Sequence, residues 1–126
     1  MQWKRATFVT GLVLCAAAPA TAQDVARGQA LADQCQACHT LTADEEPGPG
    51  PTLAGIAGAK AGTRPNFDYS DAFQAANARG VIWTDAALNR FLADPQGEVP
   101  RNKMAFPAIT NDADRADIVA YLKTLR

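Results

Sequence analysis

The 126-residue sequence predicts a small all-α domain with long loops. Apolar residues recur at helical spacing in several segments, and an Asp, Ser, Thr or Asn stands where each segment begins, as helix caps do. No segment is a convincing strand. Two proline-rich stretches, EEPGPGPTLAG and PQGEVPRNKMAFP, separate the helical segments. We expect both to be loops of defined shape, because proline fixes φ.

The first predicted helix extends from about Asp24, its expected N-cap, to Ala37. Gly28 interrupts it, and an interior glycine costs about 0.5–1 kcal/mol relative to alanine. We therefore expect a second helix to approach closely at Gly28. The stripe expected to face inward leads towards two cysteines and comprises Ala30, Leu31, Gln34 and Cys35.

Three further helices follow in the sequence. Ser70 is expected to cap the segment SDAFQAANA, which Gly80 ends. Thr84 caps TDAALNRFLAD, which Pro95 stops, and the last helix begins at Asn111 with three aspartates in its first turns. The residues predicted to be buried are Leu88, Phe91 and Leu92 in the third helix and Ile118, Tyr121, Leu122 and Leu125 in the last.

The first 22 residues are typical of a secretory signal peptide. Lys4 and Arg5 precede an apolar run from Phe8 to Ala18, and Ala20-Thr21-Ala22 supplies the small residues that a signal peptidase requires. The run is shorter than the roughly 20 apolar residues of a membrane span. We expect cleavage after Ala22, which leaves residues 23–126 as a single domain without stable membrane insertion.

The charge of residues 23–126 excludes two classes of partner. Two of the twelve basic residues and none of the thirteen acidic ones lie in the leader, so the remainder has a formal charge of ten minus thirteen, or −3. Nucleic-acid binding requires a basic surface, and so does polybasic attachment to membranes. We therefore expect neither activity.

The segment CQACH places Cys35, Cys38 and His39, the only histidine, within five residues. A structural zinc site needs four ligands, and no second cysteine pair completes this set. A thioredoxin-like dithiol follows a strand, whereas this pair follows a predicted helix. The third interpretation is covalent haem attachment, for which C-x-x-C-H is the known pattern. The two thiols would bond the porphyrin and the imidazole would ligate the iron.

A second axial ligand can be sought by elimination. Met104 is the only methionine in residues 23–126 and lies in the predicted loop PRNKMAFP. A lone methionine commonly fills a gap in a core, and Lys103 is a rival ligand. An ammonium must lose its proton before it can bind iron, which disfavours Lys103 near pH 7. We predict that His39 and Met104 ligate the iron.

Six motifs together resemble one protein family: CQACHT, GPTLAG, FDYSDA, IW followed by a helix with FL, NKMAFP, and RADIVAYLK. Residues 23–126 resemble a class I c-type cytochrome, close to mitochondrial cytochrome c and soluble bacterial carriers. The resemblance implies the cytochrome c fold, with three main helices plus short helices and loops enclosing one covalent haem c. It also implies that the first and last helices cross at Gly28.

The resemblance also implies roles for individual residues. Pro51 matches the proline whose carbonyl accepts the histidine ring N–H, and Phe106 matches an aromatic residue beside the exposed haem edge. Tyr69 and Trp83 match donors to a haem propionate.

Three positions depart from the family pattern. Phe91 stands where many relatives have a tyrosine near the methionine sulfur, and Ala32 stands where an aromatic residue often packs at the helix crossing. Ala59 stands where an arginine usually pairs with a propionate, which leaves Arg64 or a water molecule as candidates for that pairing.

The expected function is one-electron transfer by a monomeric periplasmic protein, with no substrate transformed. The resemblance implies redox partners such as a quinol:cytochrome c reductase, an oxidase, a reaction centre or a dehydrogenase. Only three lysines remain in residues 23–126, so docking through a strongly basic face is not supported. The alternatives are a haem peroxidase-like enzyme or a haem ligand sensor, both of which need a labile sixth ligand.

Overall fold

The computed structural model describes residues 22–126, so the predicted leader lies, except for Ala22, outside the described residues. The helices are α1 (Val25–Ala32), continued by a 3₁₀ helix (Asp33–Ala37), then α2 (Asp71–Ala78), α3 (Asp85–Ala93), α4 (Pro95–Glu98) and α5 (Asp112–Leu122). No strand forms among these residues, where Lys60 and Ile82 make an isolated antiparallel bridge. The predicted all-α class is confirmed. None of the described helices has the length and apolarity that crossing a membrane requires.

Local sequence signals set most of the helix starts. Asp24, Thr84 and Asn111 each accept a hydrogen bond from the backbone N–H three residues later, at 3.0 or 3.1 Å, which confirms them as caps. Ser70 occupies the N-cap position of α2 as predicted, but its side chain accepts no hydrogen bond from the first turn. Gly80 follows α2 with φ +75°, a conformation that favours glycine.

The crossing of α1 and α5 explains Gly28. A Cβ on Gly28 would overlap the carbonyl oxygen of Asp117 and lie 2.5 Å from its carbonyl carbon. The close approach predicted from the sequence is therefore confirmed. Polar contacts reinforce the crossing, since the Asp117 carboxylate accepts hydrogen bonds from Asp24 N–H at 2.8 Å and from Arg27 Nη1 at 2.6 Å.

The predicted inward stripe of the first helix is partly wrong. Ala30 and Gln34 are exposed, whereas Gly28 and Ala32 form the buried face. The face is set by the contact with α5, and residues 28 and 32 share it because they are four apart. The helix also tightens to 3₁₀ geometry at Asp33 instead of continuing unchanged to residue 37.

The predicted loop after Pro95 begins with a helix. Pro95 ends α3 as expected, but it also occupies the first turn of α4. The Asp94 side chain caps this turn by accepting a hydrogen bond from Gly97 N–H at 2.9 Å. Proline suits the first helical position, where its missing N–H costs nothing.

The core lies where α3 and α5 pack together. It contains the residues predicted for α3, and of those predicted for α5 it buries Ile118, Tyr121 and Leu122 fully and Leu125 in part. Trp83 joins this core just before α3 begins. The remaining chain, including the long loops at 38–70 and 99–111, wraps around it and carries most of the predicted site residues.

Candidate functional site

The two cysteines lie in a tight turn directly after α1. The backbone N–H groups of Cys38 and His39 both donate to the carbonyl of Cys35, at 3.1 and 2.9 Å. Cys35 is half-buried, Cys38 is exposed, and the two thiols are not bonded to each other. Burial raises the pKa of the Cys35 thiol. One turn of chain therefore gathers two sulfurs and an imidazole.

The His39 ring has a fixed orientation. Its Nδ1 lies 2.7 Å from the carbonyl oxygen of Pro51, and since a carbonyl can only accept, Nδ1 carries the proton. The other ring nitrogen, Nε2, then keeps its lone pair. Burial lowers the pKa of His39, while the bond to Pro51 opposes this effect. The neutral imidazole that metal ligation requires is thus favoured.

Gly50 makes room for this ring. A Cβ at position 50 would lie 2.5 Å from Cε1 of His39 and 2.7 Å from Nδ1. Backbone hydrogen bonds from Gly50 to Cys38 and from Leu53 to Thr40, each 2.8 Å, clamp this loop beside the histidine. These backbone hydrogen bonds and the space left by the missing side chain of Gly50 together hold the imidazole in one position.

Met104 lies half-buried in the second proline-rich loop and packs against the core. Its backbone N–H donates to Oδ1 of Asn102 at 2.9 Å. Nδ2 of Asn102 donates to the carbonyls of Pro95 and Val99, each at 2.8 Å, and the residue is buried. The sequence did not reveal this anchoring role, because the partners of an asparagine inside an irregular loop cannot be read from spacing.

An aromatic cluster lies beside the loops. Tyr69 contacts Phe73 at a centroid distance of 5.7 Å, and Phe73 contacts both Trp83 and Phe91. Trp83 meets Phe91 edge-on at 5.1 Å. Phe106 is half-buried two residues beyond Met104 and takes no part in this cluster within the described residues. The structure therefore places Tyr69 and Trp83 in one aromatic cluster, whereas Phe106 lies outside that cluster.

Three polar atoms are buried without a hydrogen-bond partner among residues 22–126: Thr40 Oγ1, Arg64 Nε and Ser70 Oγ. Such groups are rare in folded proteins and call for a partner. Two free thiols, an oriented imidazole with an open Nε2 and unpartnered donors fit a haem, which offers vinyl groups, iron and carboxylates. No group of three or more His, Cys, Asp or Glu side chains with metal-binding geometry occurs in the described part of the chain.

Comparison with known proteins gives consistent matches along the chain. The sequence profile described as Cytochrome c matches residues 25–126. Cytochrome c2 of Rhodomicrobium vannielii is 37% identical over 117 residues, covering 93% of this chain and 91% of the relative. Cytochrome c2 iso-2 of Magnetospirillum fulvum is 45% identical over 91 residues, covering 72% of this chain and 91% of the relative.

Two solved structures are similar in fold. Cytochrome cH from Methylobacterium extorquens has a TM-score of 0.72 and 43% identity, covering 80% of this chain and 98% of that structure. Cytochrome c2 from Rhodospirillum centenum has a TM-score of 0.75 and 33% identity, covering 81% and 98% respectively.

Proposed function

The chain belongs to the cytochrome c family, and on that premise we propose how its residues hold the cofactor and serve electron transfer. It is a c-type cytochrome with one covalently bound haem, and it carries single electrons. Family membership decides between the three interpretations of CQACH in favour of haem attachment through Cys35 and Cys38.

The proposed axial ligands are Nε2 of His39 and the sulfur of Met104. The observation that carries this assignment is the 2.7 Å hydrogen bond between His39 Nδ1 and the Pro51 carbonyl, because it fixes the tautomer and leaves Nε2 free to ligate. Met104 is half-buried against the core, whereas its rival Lys103 is exposed. Burial therefore favours the thioether over the ammonium.

Each residue of the site has a distinct task in this proposal. When bound, the haem supplies an iron that cycles between the ferric and ferrous states. The soft thioether of Met104 stabilises the ferrous state and raises the reduction potential. Pro51 orients the imidazole, and the buried rings of Trp83 and Phe91 exclude water, so little solvent reorganises as the charge changes. Phe106 is proposed to lie beside the exposed haem edge.

Substitution of Met104 tests the ligand assignment. The purified holoprotein of Met104→Ala should have a lower reduction potential than the parent and should bind carbon monoxide when reduced. Lys103→Ala is the control and should change neither property, because Lys103 is exposed. The assignment is wrong if Met104→Ala leaves both unchanged while Lys103→Ala lowers the potential.

The same measurement on the parent protein separates the carrier from its alternatives. Two protein ligands leave no open coordination position, so we propose that the protein transforms no substrate. The reduced parent should then be inert to carbon monoxide at neutral pH. Rapid, stoichiometric binding would instead favour the haem peroxidase-like enzyme or the haem ligand sensor.

The predicted leader bears on the cellular compartment, and the charge bears on how the protein docks to its partners. We propose that cleavage after Ala22 releases a monomer of residues 23–126 into the periplasm. There it would exchange electrons with partners of the kind the family resemblance implies: a quinol:cytochrome c reductase, an oxidase, a reaction centre or a dehydrogenase. The formal charge of −3 argues for docking that does not depend on a strongly basic face.

A further inference from the structure

The side chain of Arg64 is held against the backbone of the loop that follows Pro51. Nη1 of Arg64 donates to the carbonyl of Ala54 at 3.1 Å. Gly55 lies next to it with φ +66°, and a Cβ at that position would come within 2.8 Å of Nη1. The guanidinium thus occupies space that a side chain at position 55 would fill, and its position is fixed.

The positive charge of Arg64 has no counter-ion within residues 22–126. The ion pairs of this part of the chain involve other basic residues: Arg27, Arg90, Arg115 and Lys123. Nε of Arg64 is buried and has no acceptor. Burying part of a cation without an acceptor is costly, so an anion that meets this group would remove a penalty.

The neighbouring side chains are also hydrogen-bond donors. The hydroxyl oxygen of Tyr69 accepts from the backbone N–H of Arg64 at 3.2 Å, which leaves its own proton free to donate. Burial raises the pKa of Tyr69, although the nearby Arg64 opposes this effect, so the phenol keeps that proton at neutral pH. Ser70, the next residue, has a buried hydroxyl without a partner. Arg64 Nε and the Tyr69 hydroxyl are thus donors without an acceptor on two residues in direct contact, and Ser70 adds a third such donor next to Tyr69 along the chain.

We propose that Arg64 is the cationic partner of a haem propionate and that it holds this carboxylate ionised together with Tyr69. This inference rests on the proposed function, since it requires the haem to be bound. A carboxylate accepts two or more hydrogen bonds in one plane, which matches a guanidinium edge better than any neutral ligand group does. In this pairing Arg64 would hold the propionate carboxylate in place and stabilise its charge, and it would not ligate the iron.

The pH dependence of the reduction potential tests the proposal. Ionisation of a propionate coupled to the iron produces a break in the plot of potential against pH. An opposite charge lowers the pKa of a carboxyl by about one to three units, so Arg64→Gln should move the break upward by that amount. Arg79→Gln is the matched control, since Arg79 is exposed and its side chain makes no hydrogen bond among the described residues.

A break that moves in Arg64→Gln and stays in Arg79→Gln supports the proposal. The proposal is overturned if the pH of the break is unchanged in Arg64→Gln. It is also overturned if the break moves equally in both variants, because the movement would then reflect only the loss of a distant positive charge. If Arg64→Gln does not accumulate as holoprotein, Arg64→Lys serves instead: a smaller upward shift supports the pairing and no shift overturns it. Absorption spectra that match those of the parent protein would show that the iron ligation is unchanged. In that case, an unmoved break would count against the role of Arg64 alone and not against the proposed function.

Discussion

Asn102 offers the sharpest test of how the Met104 loop is held. Its side chain donates to two backbone carbonyls of the α4 segment and accepts from the N–H of Met104, at 2.8 and 2.9 Å. Asn102→Ala removes all three bonds at once. It also leaves the Met104 N–H without its acceptor in a half-buried loop.

The expected loss of stability can be estimated bond by bond. An intramolecular hydrogen bond contributes about 0.5–1.5 kcal/mol net, so three bonds amount to about 1.5–4.5 kcal/mol. If these bonds also hold the loop closed, its open population rises roughly tenfold or more, since each 1.4 kcal/mol is about tenfold. Asn102→Asp should be at least as harmful at neutral pH, because a carboxylate would face two carbonyl oxygens.

The assay combines guanidinium unfolding of the holoprotein with carbon monoxide binding to its reduced form. Asn102→Ala should unfold more easily and should bind carbon monoxide measurably, since the proposed ligand Met104 would leave the iron more often. Asn77→Ala is the control: it removes one bond, from Nδ2 to the Ala61 carbonyl at 2.8 Å, far along the chain from Met104. The reasoning fails if Asn102→Ala is as stable and as inert as the parent, or if Asn77→Ala opens the iron equally.

Two further predictions concern the crossing of α1 and α5. Gly28→Ala should lower the free energy of unfolding by about 3 kcal/mol, because the added methyl meets the Asp117 backbone, which no rotamer change can move; denaturant titration measures this. Asp117→Asn should weaken the crossing above pH 4, since hydrogen bonds from Asp24 N–H and Arg27 lower the pKa of the Asp117 carboxyl. The stability that this carboxylate adds is present above its unfolded pKa of about 3.9 and is lost as the pH falls through the lower folded value.

Controls for both predictions lie on the same two helices or beside them. Ala30→Gly on the exposed side of α1 should cost only about 0.5–1 kcal/mol, and a Gly28→Ala protein as stable as the parent would contradict the packing argument. Asp85→Asn removes an exposed pair with Lys123 and should change stability little at any pH. If the difference between parent and Asp117→Asn does not shrink on acidification below pH 4, the linkage argument is wrong.

Sequence spacing was sufficient for most interactions between close neighbours along the chain. CQACH carries its attachment chemistry within five residues, and the caps at Asp24, Thr84 and Asn111 act three residues ahead. Local rules still failed in two places. Ser70 makes no capping bond, and Pro95, expected only to stop α3, also begins a helix because Asp94 caps it. The assignment of Met104 as an iron ligand remains a prediction, and the Asn102→Ala variant provides a further test of it.

Residue types at short spacing were enough to establish the helical class, the haem-attachment segment and the need for close packing at Gly28. Other pairs became visible only in the folded chain, such as Asp117 with Gly28 and Ala54 with Arg64, whereas the contact of Pro51 with His39 had been implied by the family resemblance. The physical reason is that such contacts form only after loops close and helices cross. Their geometry therefore depends on the packing of the whole domain and leaves no periodic trace in the sequence.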